Sequence, residues 1–459
     1  MGTLTYTRAG LWQVMFWMLL GVVFFQLLQM LPANAIPLQM RWAGAGDTLI
    51  GFKSSLSSLV TFLWNPVVGS VSDRHRGPLG RRRPFILWTI PPVFLGLLAL
   101  GASEPAGEFI YRLIAACGLG TMVTAAGCTL TWLLVVMVVF LLFNAVYTQA
   151  YGCLVADVIP PDVIGKFSGF YRALGALASL AFNRWSLPWL DGHTFEVYAV
   201  TGVLYAVVFA VIVWRVKEGE YPPPPPKAPG GWQGAVKTYL RECFTHRFYL
   251  NYFVATFFNW ASLAPMGYLV FFATSAGQPG YAETLGLSLD EFGKVKGWTF
   301  LVQIPVFLVV GHFVDRFHPI RVAILGMALE TITYLLCYWY TTDASSLLLW
   351  LTLNQAAIAV YLGAYMALGP RLLPRSRYGQ FNAANTVFGI SSLILGPLLV
   401  GMLLAAIRDY RYIYLMCAVC TALATIANWT LFRQWRQLGG DAGFTPPEPP
   451  GAPPQPSSP

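Results

Sequence analysis

Apolar runs long enough to cross a bilayer follow one another along almost the whole chain. A helix needs about 20 apolar residues to span a hydrocarbon core about 30 Å thick. Backbone in lipid must satisfy its own hydrogen bonds, so such runs fold as helices. Twelve runs stand out, at 11–31, 49–71, 85–101, 131–153, 167–189, 197–214, 248–272, 292–314, 320–340, 345–368, 379–404 and 412–432. Charged residues make up 11% of the chain and hydrophobic ones 56%, against about 25% charged in soluble domains. An ordinary soluble protein is excluded. The expected fold class is an all-α membrane protein with twelve transmembrane helices.

The net charge of +9 is placed by topology. With both termini on one side, that side's loops and tails hold twenty of the 29 Lys and Arg, among them Arg74, Arg76, Arg81, Arg82 and Arg83 in one short loop. The other side holds Arg41, Lys53, Arg112, Arg184, Lys294, Lys296, Arg408 and Arg411, and Arg172 lies inside a span. The positive-inside rule then makes the basic side and both termini cytoplasmic, in an inner membrane. Lipid, not nucleic acid, is the partner this charge implies. Arg8, the first apolar run and Ala33-Asn34-Ala35 imitate a cleavable secretory signal, but cleavage would leave eleven spans, so the first run is read as retained.

Two phrases occur twice, in the same order. Gly69-x-x-x-Asp73-Arg74 is echoed by Gly311-x-x-x-Asp315-Arg316. Pro160-x-x-x-x-Gly165-Lys166-Phe167 is echoed by Pro374-x-x-x-x-Gly379-Gln380-Phe381. An internally duplicated membrane protein has the layout of a transporter built from two repeats. The expected units are a six-helix bundle at 1–214, a basic Pro-rich loop at 215–247 containing Pro222 to Pro226, a second six-helix bundle at 248–432, and a disordered tail at 433–459. The first half is longer by 28 residues between the two phrases, mostly between Gly101 and Thr131. Loop parity makes the surplus, about 101–130, an interfacial or re-entrant insert on the far side.

The first copy continues as Gly80-Arg81-Arg82-Arg83-Pro84-Phe85-Ile86, and the fourth span ends in Ala156-Asp157-Val158-Ile159-Pro160-Pro161. These residues resemble the loops after helices two and four in the major facilitator superfamily. The long form looks like its glycoside–pentoside–hexuronide and sucrose-type cation symporter branch. The resemblance covers about 10–432 and implies the major facilitator fold, two six-helix pseudo-repeats rocking about a central site. It implies that Asp73 faces the N-terminus of helix eleven, where a helix is electropositive. Arg81, Arg82 and Arg83 can pair with Asp157. Asp73, Arg74, Arg81, Arg82, Arg83, Asp157, Asp315 and Arg316 are therefore candidate gating residues, against the plainer reading that the basic loop only sets topology.

The same resemblance implies a cavity lined by helices one, four, seven and ten, helped by two, five, eight and eleven. Those spans carry Gln26, Gln29, Asn144, Tyr147, Gln149, Asn259, Trp260, Gln303, Asn354, Gln355, Tyr361, Tyr365, Asn382 and Asn385. Amides exchange hydrogen bonds with hydroxyls, and aromatic faces suit a sugar ring. Each residue could equally bond helix to helix. No cavity cation cluster is evident, so a neutral sugar or glycoside is the expected small-molecule substrate. Members of the branch that couple to cations carry an acid in the first or second span, and the predicted spans 11–31 and 49–71 have none. Glu330, mid-span in helix nine, and Lys53 are the candidate proton-coupling groups, since a buried charge is costly, against a structural hydrogen-bonded Glu330, a Lys53 that snorkels outward, and a facilitator without coupling.

Seven scattered Cys and five scattered His show no ligand-like spacing, and no phosphate loop with a Lys appears. No enzyme site, metal or cofactor is expected. The reading is a monomeric, proton-coupled sugar symporter. Its rivals are a permease or exporter for a drug, a peptidoglycan fragment or another metabolite, and a non-transporting sensor or assembly relative.

Overall fold

The computed structural model describes residues 4, 6–219, 243–374 and 377–447. Among the described residues twelve long helices follow one another in the order of the apolar runs. In chain order the helices are α1 (Arg8–Trp42), α2 (Asp47–Arg74), α3 (Arg83–Gly101), α4 (Ser103–Ala116), α5 (Ala125–Val158), α6 (161–190), α7 (194–215), α8 (Arg247–Ala273), α9 (Leu289–Phe317), α10 (Pro319–Tyr340), α11 (Ala344–Leu372), α12 (Tyr378–Ile407), α13 (Tyr412–Gln437) and the short α14 (Gly440–Gly443). Among the described residues ten stretches are long and apolar enough to cross a membrane, one of them holding both α6 and α7, and α2 is not among the ten. Helices α6 and α7 run on in sequence but reverse at Asp191-Gly192-His193, where Gly192 takes φ 82°. A positive φ suits glycine. Proline interrupts several spans, at Pro66, Pro91, Pro92, Pro370 and Pro397, as lipid-embedded helices tolerate. Large apolar side chains such as Trp88, Trp214 and Leu308 are exposed and form the lipid-facing surface.

The surplus of the first half is α4 and its connection to α5. At 14 residues α4 is too short to span. It packs on the first turns of α5 through Gly107, where a Cβ would meet the Thr129 nitrogen at 2.7 Å. With α1, α3 and the α6–α7 turn it walls a recess of about 670 Å³ lined by Glu104, Glu108, Asp191 and Glu196.

The chain beyond 432 differs from expectation. Helix α13 runs to Gln437, and Phe444 then packs 5.6 Å from Phe248 and 6.5 Å from Trp435, ring to ring. The Tyr249 hydroxyl donates to the Pro447 carbonyl at 2.5 Å. Aromatic residues after a glycine pair anchor what composition marks as tail. Residues 448–459 and the Pro-rich stretch 220–242 lie outside the described residues.

The face carrying the Arg74–Arg83 loop is here called the basic face, and its opposite the far face. One apolar core fills the first half and continues into far-face parts of the second, through Tyr268, Phe271, Leu404, Tyr410 and Tyr414. The basic-face part of the second half has a separate core around Tyr249, Phe253, Phe381 and Trp435. The halves thus share a core at the far face, and the basic-face part of the second half has its own.

Candidate functional site

Close backbone contact forms the far-face seal. A Cβ on Gly51 of α2 would sit 2.2 Å from the Pro397 carbonyl oxygen of α12, and one on Gly401 would sit 2.5 Å from the Asp47 carbonyl oxygen. Only glycine allows that approach. Charge completes the seal. Arg41, at the end of α1, pairs with Asp47, which opens α2. The Arg41 guanidinium also donates to Gln278 Oε1 at 2.8 Å and to the Tyr410 hydroxyl at 2.9 Å, both in the second half. The Tyr268 hydroxyl donates to the Asp47 carbonyl at 2.9 Å. Arg41 and Asp47 are buried. Sequence reading missed this pair. The predicted second span started at 49, because a charge at a helix end lowers local hydropathy, so the span seemed free of acid. The helix in fact begins at Asp47.

Helix α1 contains a π turn at Leu31–Ala35. The Ile36 N–H bonds Leu31, and the next residue on is Pro37, which has no N–H to offer Pro32. Lys53 of α2 supplies a donor instead, its ammonium bonding the Pro32 carbonyl. Lys296 of α9 donates to Asn34 Oδ1 of the same turn at 2.8 Å. Lys53 therefore turns inward to α1 rather than outward, and two lysines far apart in sequence meet one turn of helix.

The amides divide into two sets. In the first half Gln26 donates to Ser179 at 3.3 Å and Gln29 to Asn144 at 3.2 Å and Thr148 at 3.4 Å, joining α1, α5 and α6. In the second half Gln303 bonds Gln355 at 2.5 Å between α9 and α11. Asn385 donates to Tyr365 at 3.2 Å and reaches Tyr252 at 3.5 Å. Gln26, Gln29, Gln149, Trp260, Gln303, Gln355 and Asn382 are half-buried.

Other candidates lie inside a bundle. Tyr147 is fully buried, edge-on to Tyr205 at 5.0 Å and Phe209 at 4.8 Å. It belongs to the aromatic core of the first half. Tyr361 packs against Gly326 of α10, Asn354 donates to Thr333 at 2.9 Å, and Asn259 reaches the Met327 sulfur at 3.5 Å. Gln149 turns to Cys153 at 3.5 Å. Glu330 is 2% exposed on α10, which packs against α11 and α13. Its Oε1 has no hydrogen-bond partner among the described residues.

At the basic face the guanidinium of Arg81 holds Asp157 with contacts of 2.5 and 3.0 Å, and Arg82 reaches Asp157 at 3.2 Å. Arg82 also bonds Asp73 and Ser72. Arg83 instead donates to the Val213 carbonyl at 2.6 Å. Glu218 accepts the backbone N–H groups of Arg81, Arg82 and Arg83 at 2.7–2.9 Å, placing a carboxylate on the electropositive start of α3. In the second half Arg371 pairs with Asp315 at 2.9 Å. Arg74 is exposed, and Arg316 lies over the Phe317 ring at 5.4 Å. These pairs join helices within a half, and they are made while the far face is sealed.

Comparison with known proteins agrees with this geometry. Residues 266–458 match the family model of the Major Facilitator Superfamily. Solute carrier family 45 member 4 of Mus musculus is 26% identical over 184 residues, covering 38% of this chain and 22% of the relative's length. A bacterial homologue of the iron transporter ferroportin, in its inward-facing state, superposes with a TM-score of 0.67 at 14% identity, over 92% of this chain and 99% of that one. Such a homologue in an outward-facing state gives 0.54 at 16% identity, over 91% and 98%. A D-xylose–proton symporter gives 0.65 at 13% identity, over 92% and 97%. The chain has the major facilitator fold.

Proposed function

We propose that this protein is a secondary transporter that carries a small polar solute by alternating access, as a monomer, in an inner membrane. The basic face and both ends of the chain are cytoplasmic in this reading, in accord with the charge asymmetry. One observation carries it. Two duplicated halves share a core at the far face and have separate cores at the basic face, with half-buried amides of both halves between those levels. That is one end state of a rocking pair.

Gln26, Gln29, Gln303 and Gln355 present donors and acceptors suited to hydroxyl groups. A sugar or glycoside is the first solute class to test, and a D-xylose–proton symporter shares the fold. Protons are the proposed co-substrate, with Glu330 as carrier. The pairs around Asp73, Asp157 and Asp315 are proposed to hold each half's basic-face ends in register during rocking.

Purified protein in liposomes, given an inward proton gradient and labelled sugars, should accumulate one of them. Glu330→Gln should abolish accumulation against a gradient while sparing exchange. No uptake of any sugar, with uptake of a non-sugar metabolite or drug, would replace the solute class. No flux of any solute would favour the non-transporting reading.

A further inference from the structure

Lys53 and Lys296 bracket the π turn of α1 from opposite halves of the protein. Lys53 is 3% exposed, and Lys296 is half-buried with its ammonium 5.5 Å from the Phe292 ring. Each ammonium has three N–H donors. The acceptors in place are one backbone carbonyl for Lys53 and one amide oxygen for Lys296. Neither pairs with a carboxylate among the described residues. A third cation, Arg172 of α6, stacks over Phe307 of α9 at 5.1 Å, again across the halves and with no carboxylate partner among the described residues.

Two other buried cations are neutralised by carboxylates. Arg41 has Asp47, and Arg82 has Asp73 and Asp157. Burying an unpaired cation is strongly unfavourable unless an anion joins it. The two lysines sit just beneath the far-face seal. Gln26 and Gln29 lie one to two turns further along α1 toward the basic face. A solute whose hydroxyls meet those amides would place its far end at the lysines.

We propose that Lys53 and Lys296, which meet the π turn of α1 from the two halves, form an anion subsite. The solute is then a hydroxylated anion, with a carboxylate or phosphate group, rather than a neutral sugar. This rests on the transporter reading and changes its substrate class. It replaces, within this proposal, the sequence-based expectation of a cavity without a cation cluster; the two lysines are 243 positions apart.

The test is thermal unfolding of full-length, detergent-purified protein at constant ionic strength with D-glucose, D-glucuronate, D-glucose 6-phosphate or sulfate. Ligands of the folded state raise its midpoint by mass action. Glucuronate or glucose 6-phosphate should raise the midpoint more than glucose does. Lys53→Gln and Lys296→Gln should each weaken that binding at least tenfold. Lys53→Arg should keep it, which guards against a variant that merely folds poorly, and so should Arg112→Gln on the exposed insert. Which anion acts separates the carboxylate from the phosphate form. A shift with sulfate that survives both Lys→Gln changes would be surface binding and would overturn the proposal. So would equal shifts for glucose and its acids, or no anion-dependent shift at all. Uptake of glucose by Lys53→Gln/Lys296→Gln protein would remove the anion subsite and leave the transporter standing. Anion binding without flux in liposomes would do the reverse.

Discussion

The Tyr410 hydroxyl donates to the Asp47 carboxylate at 2.9 Å, across the boundary between the two halves. Tyr410 also touches Arg41 at 2.9 Å, so one phenol ties a buried ion pair of the first half to the second. A hydrogen bond to a charged group contributes about 1.5–3 kcal/mol. Tyr410→Phe should therefore move the equilibrium between sealed and open far face by about 10- to 100-fold toward open. Spin-label distances across the far face should lengthen. Unchanged distances would show that the phenol does not hold the seal.

Gly401→Ala tests the seal's backbone contact. Its Cβ would lie 2.5 Å from the Asp47 carbonyl oxygen, and backbone on both sides leaves little room to yield. The variant should reach the membrane and remain folded but fail to close the far face. A thiol-reactive probe applied from the far-face side should then label Ser55→Cys protein faster in the Gly401→Ala background. Equal labelling in both backgrounds would contradict this.

Asp157→Asn should cost more stability than Glu218→Gln. Asp157 takes guanidinium contacts from both Arg81 and Arg82, and the Arg82 side chain is 5% exposed. Removing the carboxylate leaves a buried cation short of a partner, worth about 3–5 kcal/mol where the pair is fully buried and less here. Glu218 acts mainly on the start of α3, a contribution of about 0.3–1 kcal/mol. The order of the two unfolding midpoints checks this, and a reversed order would refute it.

His318 gives an acid-range signature. It caps α10 by accepting the Ile320 N–H at 3.4 Å, and its ring lies 4.4 Å from Trp435. Burial, with Arg371 and Arg321 nearby, pushes its pKa down to about 4, while Asp441 opposes the shift. The unfolded chain takes up the proton first, near pH 6.5. Stability from this site is therefore complete above pH 6.5, declines as pH falls to about 4, and is flat below. His318→Asn keeps a capping oxygen at a positive φ and does not titrate. It should reduce the loss of thermal stability between pH 6.5 and 4, and an identical pH profile would rule out the linkage.

The traverses were legible because lipid imposes one rule on every span. The ends were harder. Asp47 is part of α2 but reads as loop, since a charge at a helix end resembles a boundary. The kink in α1 did leave a trace, Pro32 and Pro37 five residues apart, which removes the N–H that a π turn would bond to the Pro32 carbonyl. Tyr147 was assigned to the cavity because an aromatic side chain looks the same whether it faces a ligand or a core, and here Tyr205 and Phe209 claim it. The pairing of Lys53 with α1, and of Lys296 with the same turn, depends on how the halves dock. No local pattern encodes that.

In the proposed transport cycle, the buried Arg41–Asp47 pair makes water a reactant. With the far face sealed, both ions are shielded from solvent. Parting the halves there must hydrate a guanidinium, a carboxylate and the Tyr410 phenol together. Opening toward the far side therefore takes up water, and solutes excluded from the protein surface oppose it. Turnover would then slow as osmotic pressure rises, even where no osmolyte binds.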